Sequence, residues 1–203
     1  MKYKKVAALF LSLLIACSLC VSSAAKTVEH VVQKGESMWL IAKKYQVGLS
    51  EIINANKQVK NPDLIYPKQI LNIPLVDSTV TSYEQQVVDL VNAKRKAAGL
   101  GTLKLNWELS RVARIKAQDM KDKNYFDHTS PTYGSPFNMI RNFNISFQTA
   151  GENIARGQKT PQAVVDAWWN SEGHRKNMMN SSFTQIGVGY VASGNYWVQM
   201  FIG

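Results

Sequence analysis

The position of its cysteines constrains this chain more than any other feature. Cys17 and Cys20, the only two, lie within the first twenty residues. They stand at the end of an apolar run, Val6 to Ala16 and onward, that follows Lys2, Lys4 and Lys5 and precedes Ser22-Ser23-Ala24-Ala25. A basic start, a short apolar stretch and small residues form an export signal, with cleavage expected after Ala24 or Ala25 and a signal segment over 1–25. The remainder then has no thiol. It must hold its fold by packing and hydrogen bonds alone, and it carries neither a Cys-ligated zinc nor a catalytic Cys.

A chain of 203 residues makes one or two domains. With 45% apolar and 19% charged residues, a packed core is expected rather than disorder. Loss of Lys2, Lys4 and Lys5 brings the formal net charge from +10 to +7. That balance suits an anionic partner such as a wall polymer or a membrane surface. Lys94-Arg95-Lys96 and the Lys121/Lys123 pair, the densest basic groups, read as solvated helix faces. No basic stripe is interleaved with aromatics, so nucleic acid is not an expected partner. Leu14-Ile15-Ala16-Cys17 resembles a bacterial lipobox, in which Cys17 would be acylated. The run continues through Leu19 and Val21 to a good small-residue site, so secretion is the preferred reading. No later segment reaches the length of a membrane-spanning helix.

Residues 29–74 read as strand, helix, helix, strand. His30-Val31-Val32-Gln33 starts a short strand, and Lys34-Gly35-Glu36-Ser37 turns it. Ser37 caps a helix carrying Trp39, Leu40, Ile41 and Ala42, with Trp39 read as core. Ser50 caps a second helix with Ile52, Ile53 and Ala55 inward. Asn61-Pro62-Asp63 breaks the chain, and Gln69 to Pro74 closes it as a strand. Residues 75–82 are polar and small, a short linker that tethers two units loosely but closely.

Residues 83–203 form the larger unit. Ser82-Tyr83-Glu84-Gln85 reads as a capping box that opens a helix ended by Gly99. Leu109, Val112, Ala113, Lys116, Ala117 and Met120 recur at i, i+3, i+4 spacing, an amphipathic helix. Short helices are predicted from Ser135-Pro136 and from Thr160-Pro161. Glu152 to Ala155 is predicted to be extended. Ile186 to Val191 and Tyr196 to Phe201 form a hairpin about Ser193-Gly194-Asn195. Early helices and late strands indicate an α+β class with a layered α-β-α arrangement.

The segment HVVQKGESMWLIAKKYQV, followed by LSEIINAN and NPDLIYPKQILNIP, resembles a LysM domain from end to end. The resemblance implies a βααβ unit that binds N-acetylglucosamine-containing glycans, chiefly peptidoglycan. Its groove would be formed by Gly35, Glu36, Ser37 and Met38 on one side and Pro62, Asp63, Leu64 and Ile65 on the other. Met38, Leu64 and Ile65 would serve equally well as filling for a tiny core. Lys68 stands where this family often has Gly.

The segments FDHTSP, SPFNMI, AGENIA, AVVDAWWNSEGHRKNMMN, TQIGVGY and YWVQMF resemble the CAP superfamily of cysteine-rich secretory, antigen-5 and pathogenesis-related proteins. That implies a three-layer α-β-α sandwich with a cavity lined by two His and two Glu. Carried over, these are His128, Glu152, Glu172 and His174. Eukaryotic members take the second His from a Gly-His-Tyr-Thr-Gln segment. Here that place reads Ser182-Phe183-Thr184-Gln185, and His174 is assigned the role. The pairing of the two domains resembles secreted, wall-associated proteins of spore-forming Gram-positive bacteria and implies a place in the cell wall or spore envelope.

Three chemistries are open to such a cavity. Imidazole and carboxylate donors suit a divalent metal such as zinc, with His128 and His174 as candidate ligands. Paired carboxylates suit acid–base hydrolysis of a glycan, which would make the chain a wall hydrolase or protease. The four groups could also hydrogen-bond one another, shape the cavity and bind an unidentified ligand or protein partner without catalysis, and this is the preferred reading. The spacing Glu172-x-His174 suits one face of an extended piece. Trp168, Trp169 and Trp197 read as core. Asn153, Arg175 and Asn177 read as support.

Overall fold

A computed structural model describes residues 26–203. The export-signal and Cys17 readings fall outside the described residues. The small unit is β1 (Thr27–Val31), α1 (Met38–Tyr45), α2 (Leu49–Ala55) and β2 (Ile70–Pro74), with β1 and β2 antiparallel and His30 opposite Leu71. Its core is Val32, Met38, Ile41, Ala42, Val47, Ile52, Leu71 and Ile73. Buried Asn56 staples it. Its side chain donates to the Ile52 and Asn72 carbonyls and accepts from the Asn72 N–H.

Two expectations about this unit are corrected. Trp39 is 51% exposed, not core. The buried residues of α1 are Met38, Ile41 and Ala42, a stripe spaced i, i+3, i+4, and Trp39 lies about 100° round the helix from its start. Ser50 does not cap α2. The helix begins one residue earlier, behind Gly48, and the Ser50 hydroxyl faces outward.

The larger unit opens with α3 (Ser78–Ala97), which starts earlier than expected. Asp77 caps it by accepting from the Thr79 N–H, so most of the anticipated linker is helix and Ser82-Tyr83-Glu84-Gln85 is no capping box. The order continues as β3 (Lys104–Leu105), α4 (Trp107–Asp122), α5 (Pro136–Asn142), β4 (Ala150–Arg156), α6 (Pro161–Asn170), α7 (Glu172–Met179), β5 (Gln185–Val191) and β6 (Tyr196–Ile202). The sheet order is β3-β5-β6-β4. β3 runs parallel to β5, and the other pairs are antiparallel.

Alternation along β6 divides the core into two layers. Val198, Met200 and Ile202 pack with Leu109, Val112, Ala117 and Met120 of α4 and with Met139 and Ile140 of α5. Trp197 and Phe201 pack on the other face with Val87 and Val91 of α3, Val165 and Trp168 of α6 and Met178 of α7. Every residue of β6 is buried, as a central strand between two helical layers requires.

Gly187 and Gly189 put α4 against β5. A Cβ on Gly187 would lie 2.4 Å from the Leu109 carbonyl carbon, and one on Gly189 would lie 2.2 Å from that of Ala113. The helix therefore lies backbone to backbone on the strand. β3 is only two residues long, so it cannot pair the whole edge of β5. Side chains complete the edge. Ser110 Oγ accepts from the Val188 N–H at 3.1 Å, and Glu84 Oε1 accepts from the Tyr190 N–H at 3.2 Å.

Arg95 corrects the reading of the Lys94-Arg95-Lys96 run as a solvated face. It is 1% exposed and donates to the carbonyls of Gly101, Met178 and Asn180. It thereby satisfies the end of α7 from α3.

Candidate functional site

The site is built where α4 runs out toward β4. Asp119 of α4 accepts hydrogen bonds from the hydroxyls of Tyr125 at 2.6 Å, Ser130 at 2.7 Å and Thr132 at 2.6 Å. Ser130 and Gly134 exchange backbone hydrogen bonds and close the loop on itself. Lys116, one helical turn before Asp119, sends its ammonium to the His128 carbonyl at 2.5 Å. Held in this way, the His128 Nδ1 lies 2.7 Å from Glu152 Oε1 on β4.

Burial within this pair is unequal. The Glu152 side chain is 1% exposed and that of His128 is 53% exposed. Glu152 Oε2 is buried with no hydrogen-bond partner. Burial drives the Glu152 carboxyl above its ordinary range, against the pull of His128 and Lys116. The hydrogen bond to Glu152 holds the His128 imidazole above its ordinary value, with burial opposing. The two shifts differ in cause: Glu152 helps His128 keep its proton, whereas burial alone lifts Glu152 and His128 pulls it back down.

The other two cavity candidates are placed differently. His174 is half-buried in the first turn of α7. Asn153 donates to its carbonyl at 3.1 Å, and Asn177 donates to the Glu152 carbonyl at 3.1 Å, so buried amides join α7 to β4. Burial, then the charge of His128, lowers the His174 pKa, so the two imidazoles feel each other without a hydrogen bond. Glu172 stands apart. Its side chain is 73% exposed and pairs with Lys176 at 2.8 Å. The expectation of an extended piece fails here because Glu172 and His174 begin a helix. Residues two apart on a helix point roughly 200° apart.

Among the described residues no group of three or more His, Cys, Asp or Glu side chains could hold a metal ion. Glu172 is exposed and paired with Lys176, which leaves His128 and His174 as the candidate metal ligands. The bond from Nδ1 to Glu152 leaves Nε2 of His128 free, as in a carboxylate-oriented metal ligand, and no chemistry is routed through a metal.

Residues 35–38 form the expected turn of the small unit. Gly35 takes a φ of +86°, and the Ser37 hydroxyl accepts from the Leu40 N–H. Met38 is 2% exposed and belongs to the core, so only its backbone can reach a ligand. The Glu36 carboxylate is engaged internally. It accepts from the Gln33 N–H at 2.9 Å and pairs with His30 Nε2 at 2.6 Å, and these bonds hold its pKa below the ordinary value. Of the residues expected on the other side of the groove, Leu64 is 52% exposed and Ile65 is partly buried. Pro62 is partly buried and Asp63 exposed, which leaves that side open.

Lys116 and Asp119 were missed as site residues. The signal was present in Lys116, a lysine on the apolar stripe of an amphipathic helix.

The comparisons agree with this architecture. The model of the CAP family, the cysteine-rich secretory protein family, matches residues 88–201, more than half of the chain. The chain belongs to the CAP family. The LysM domain model matches residues 30–74 ahead of it. YkwD of Bacillus subtilis is 64% identical over 126 residues, 62% of this chain and 49% of YkwD. The SpoIVD-associated factor A of Bacillus subtilis is 49% identical over 45 residues, 22% of this chain and 12% of its own length. An extracellular protein with an SCP domain from Bacillus anthracis superposes with a TM-score of 0.59 at 36% identity, covering 67% of this chain and 47% of that one. The chain thus spans about half the length, or less, of these relatives. No helix among the described residues is long and apolar enough to cross a membrane.

Proposed function

We propose that this is an exported protein of the cell wall or spore envelope. Its LysM domain holds an N-acetylglucosamine-containing glycan such as peptidoglycan, and its CAP domain presents the His128–Glu152 pair to a ligand. The observation that carries the CAP reading is the unequal burial of that pair. A carboxylate almost fully enclosed grips one imidazole nitrogen and leaves the outward half of the ring exposed. With Nδ1 committed to Glu152, Nε2 is the ring's outward nitrogen, and in the protonated ring it donates to an acceptor oxygen such as a carbonyl or carboxylate.

The reading as a two-carboxylate hydrolase loses support from Glu172, which turns to solvent rather than toward Glu152. A glycan mechanism of that kind needs both acids at the scissile bond. The LysM reading draws on the open turn at Gly35 and the exposed Leu64, and the likeness to SpoIVD-associated factor A supports the spore setting. To test the glycan reading, purified wall sacculi are incubated with the full chain and challenged with soluble N-acetylglucosamine oligomers. Release by the oligomers supports it; retention that they leave untouched removes it.

A further inference from the structure

We infer that Lys116 is a positioning residue of the CAP site. It holds the His128 backbone from beneath so that Nδ1 meets Glu152 and Nε2 opens outward. The inference rests on the reading of that pair as the ligand site.

Lys116 is fully buried, and its only hydrogen bond among those described runs to the His128 carbonyl. A buried ammonium is costly to desolvate, and an apolar side chain of similar length would fill the same place without that cost. For the scaffold alone, then, a lysine here is a poor choice. Its surroundings are those of a held charge. Burial lowers its pKa, and Glu152 on β4, Asp119 of α4 and Asp127 of the His128 loop oppose that lowering. The ring of Tyr125 lies 5.3 Å from the ammonium. Asp119 is in turn anchored by Tyr125, Ser130 and Thr132, with Lys123 at 3.6 Å. On the far side, His174 of α7 faces the pair. Helix α4 thus grips the His128 loop twice, at Lys116 and at Asp119, one turn apart. The first grip falls on the residue that carries the imidazole.

The test uses the full chain labelled with nitrogen-15 and carbon-13 and needs no wall material, so its failure is distinct from failure of the glycan reading. The Nδ1 proton of His128, bonded to a buried carboxylate, is expected to exchange more slowly than that of a free imidazole. In Lys116→Met this proton is expected to exchange at least about tenfold faster, while the Val188 and Tyr190 amides of the sheet keep their protection. Unchanged exchange of the imidazole proton overturns the inference. If the sheet amides also lose protection, the decision passes to the wild-type chain. There a scalar coupling from the Lys116 ammonium to the His128 carbonyl carbon supports the inference, and its absence overturns it.

Discussion

Arg111 of α4 grips Glu51 of the LysM domain through two hydrogen bonds, Nε to Oε1 at 2.7 Å and Nη2 to Oε2 at 2.8 Å. Nη2 also reaches the Ser50 hydroxyl at 2.9 Å, and the guanidinium lies over the Phe143 ring at 5.1 Å. The room for it comes from Gly48, where a Cβ would stand 2.1 Å from Arg111 Nε. The two domains are clasped rather than loosely tethered. Burial opposes ionisation of Glu51, but its bonds to Arg111 and Ser50 outweigh it and lower the pKa. The clasp is therefore complete above the ordinary carboxylate range and is lost as the pH falls through the lowered value. The Glu51 side chain is 39% exposed, so the pair contributes about 1 kcal/mol or less. Its effect is on orientation. Arg111→Ala is expected to give the two domains separate alignment tensors in residual dipolar couplings at neutral pH. A single shared tensor would count against the clasp.

Histidine titration by NMR should separate the two imidazoles of the CAP site. His128 is expected above the ordinary 6.5 and His174 below it. A raised folded value means that His128 contributes stability below 6.5 and loses that contribution as the pH rises through the folded value. In Glu152→Gln the His128 midpoint should fall. Coincident midpoints in the wild type, or no fall in the variant, would show that the pair does not share a proton.

Glu84 links pH to stability far from that site. Burial lifts its carboxyl to about 7, against the pull of Arg114 at 2.6 Å and of the Tyr190 N–H. Because the folded value is raised, its contribution is full below the unfolded value of 4.5 and is lost as the pH rises through about 7. The loss from this group is roughly 3 kcal/mol. Urea denaturation at pH 5 and pH 8 should show a smaller pH difference in Glu84→Gln than in the wild type. Equal differences would mean that Glu84 ionises normally.

Lys68 adopts a left-handed φ of +72°, where the LysM resemblance leads one to expect Gly. A side chain there is strained, while its N–H still serves the Val32 carbonyl at 2.8 Å. Lys68→Gly should stabilise the chain by about 0.5–1 kcal/mol, the relief of strain exceeding the added freedom of the unfolded chain. Thermal melts decide it, and a lower melting temperature for the variant would reject the strain argument.

Much of this architecture was legible because its signals are local. Asn106, Ser135 and Thr160 cap their helices through their own side chains, and Pro136 and Pro161 open theirs. Alternation gave the hairpin, and the bulk of Trp168 and Trp197 marked them as core, where both are buried. What was missed depends on contacts distant in sequence. Arg95 reads as one of three surface cations until Met178 and Asn180 arrive to take its hydrogen bonds. Glu84 reads as one residue of a helix start until the Tyr190 N–H of β5 comes to it. Within the site, His128 and Glu152 could be named from their motifs. The divergence of Glu172 from His174 depends on helix α7 beginning at Glu172, and Ser171 before it makes no side-chain cap that would have announced it.

The most direct measurement of the central claim is a sedimentation isotherm of the full chain on purified peptidoglycan, for the wild type, Leu64→Asp and His128→Ala. Leu64 is exposed in the LysM domain, and His128 lies in the other domain, so the two changes separate anchoring from presentation. Retention of Leu64→Asp is expected to be at least about tenfold weaker, a loss of about 1.4 kcal/mol, and that of His128→Ala to match the wild type. Undiminished retention of Leu64→Asp, or a wild-type chain that stays in the supernatant, would contradict that claim.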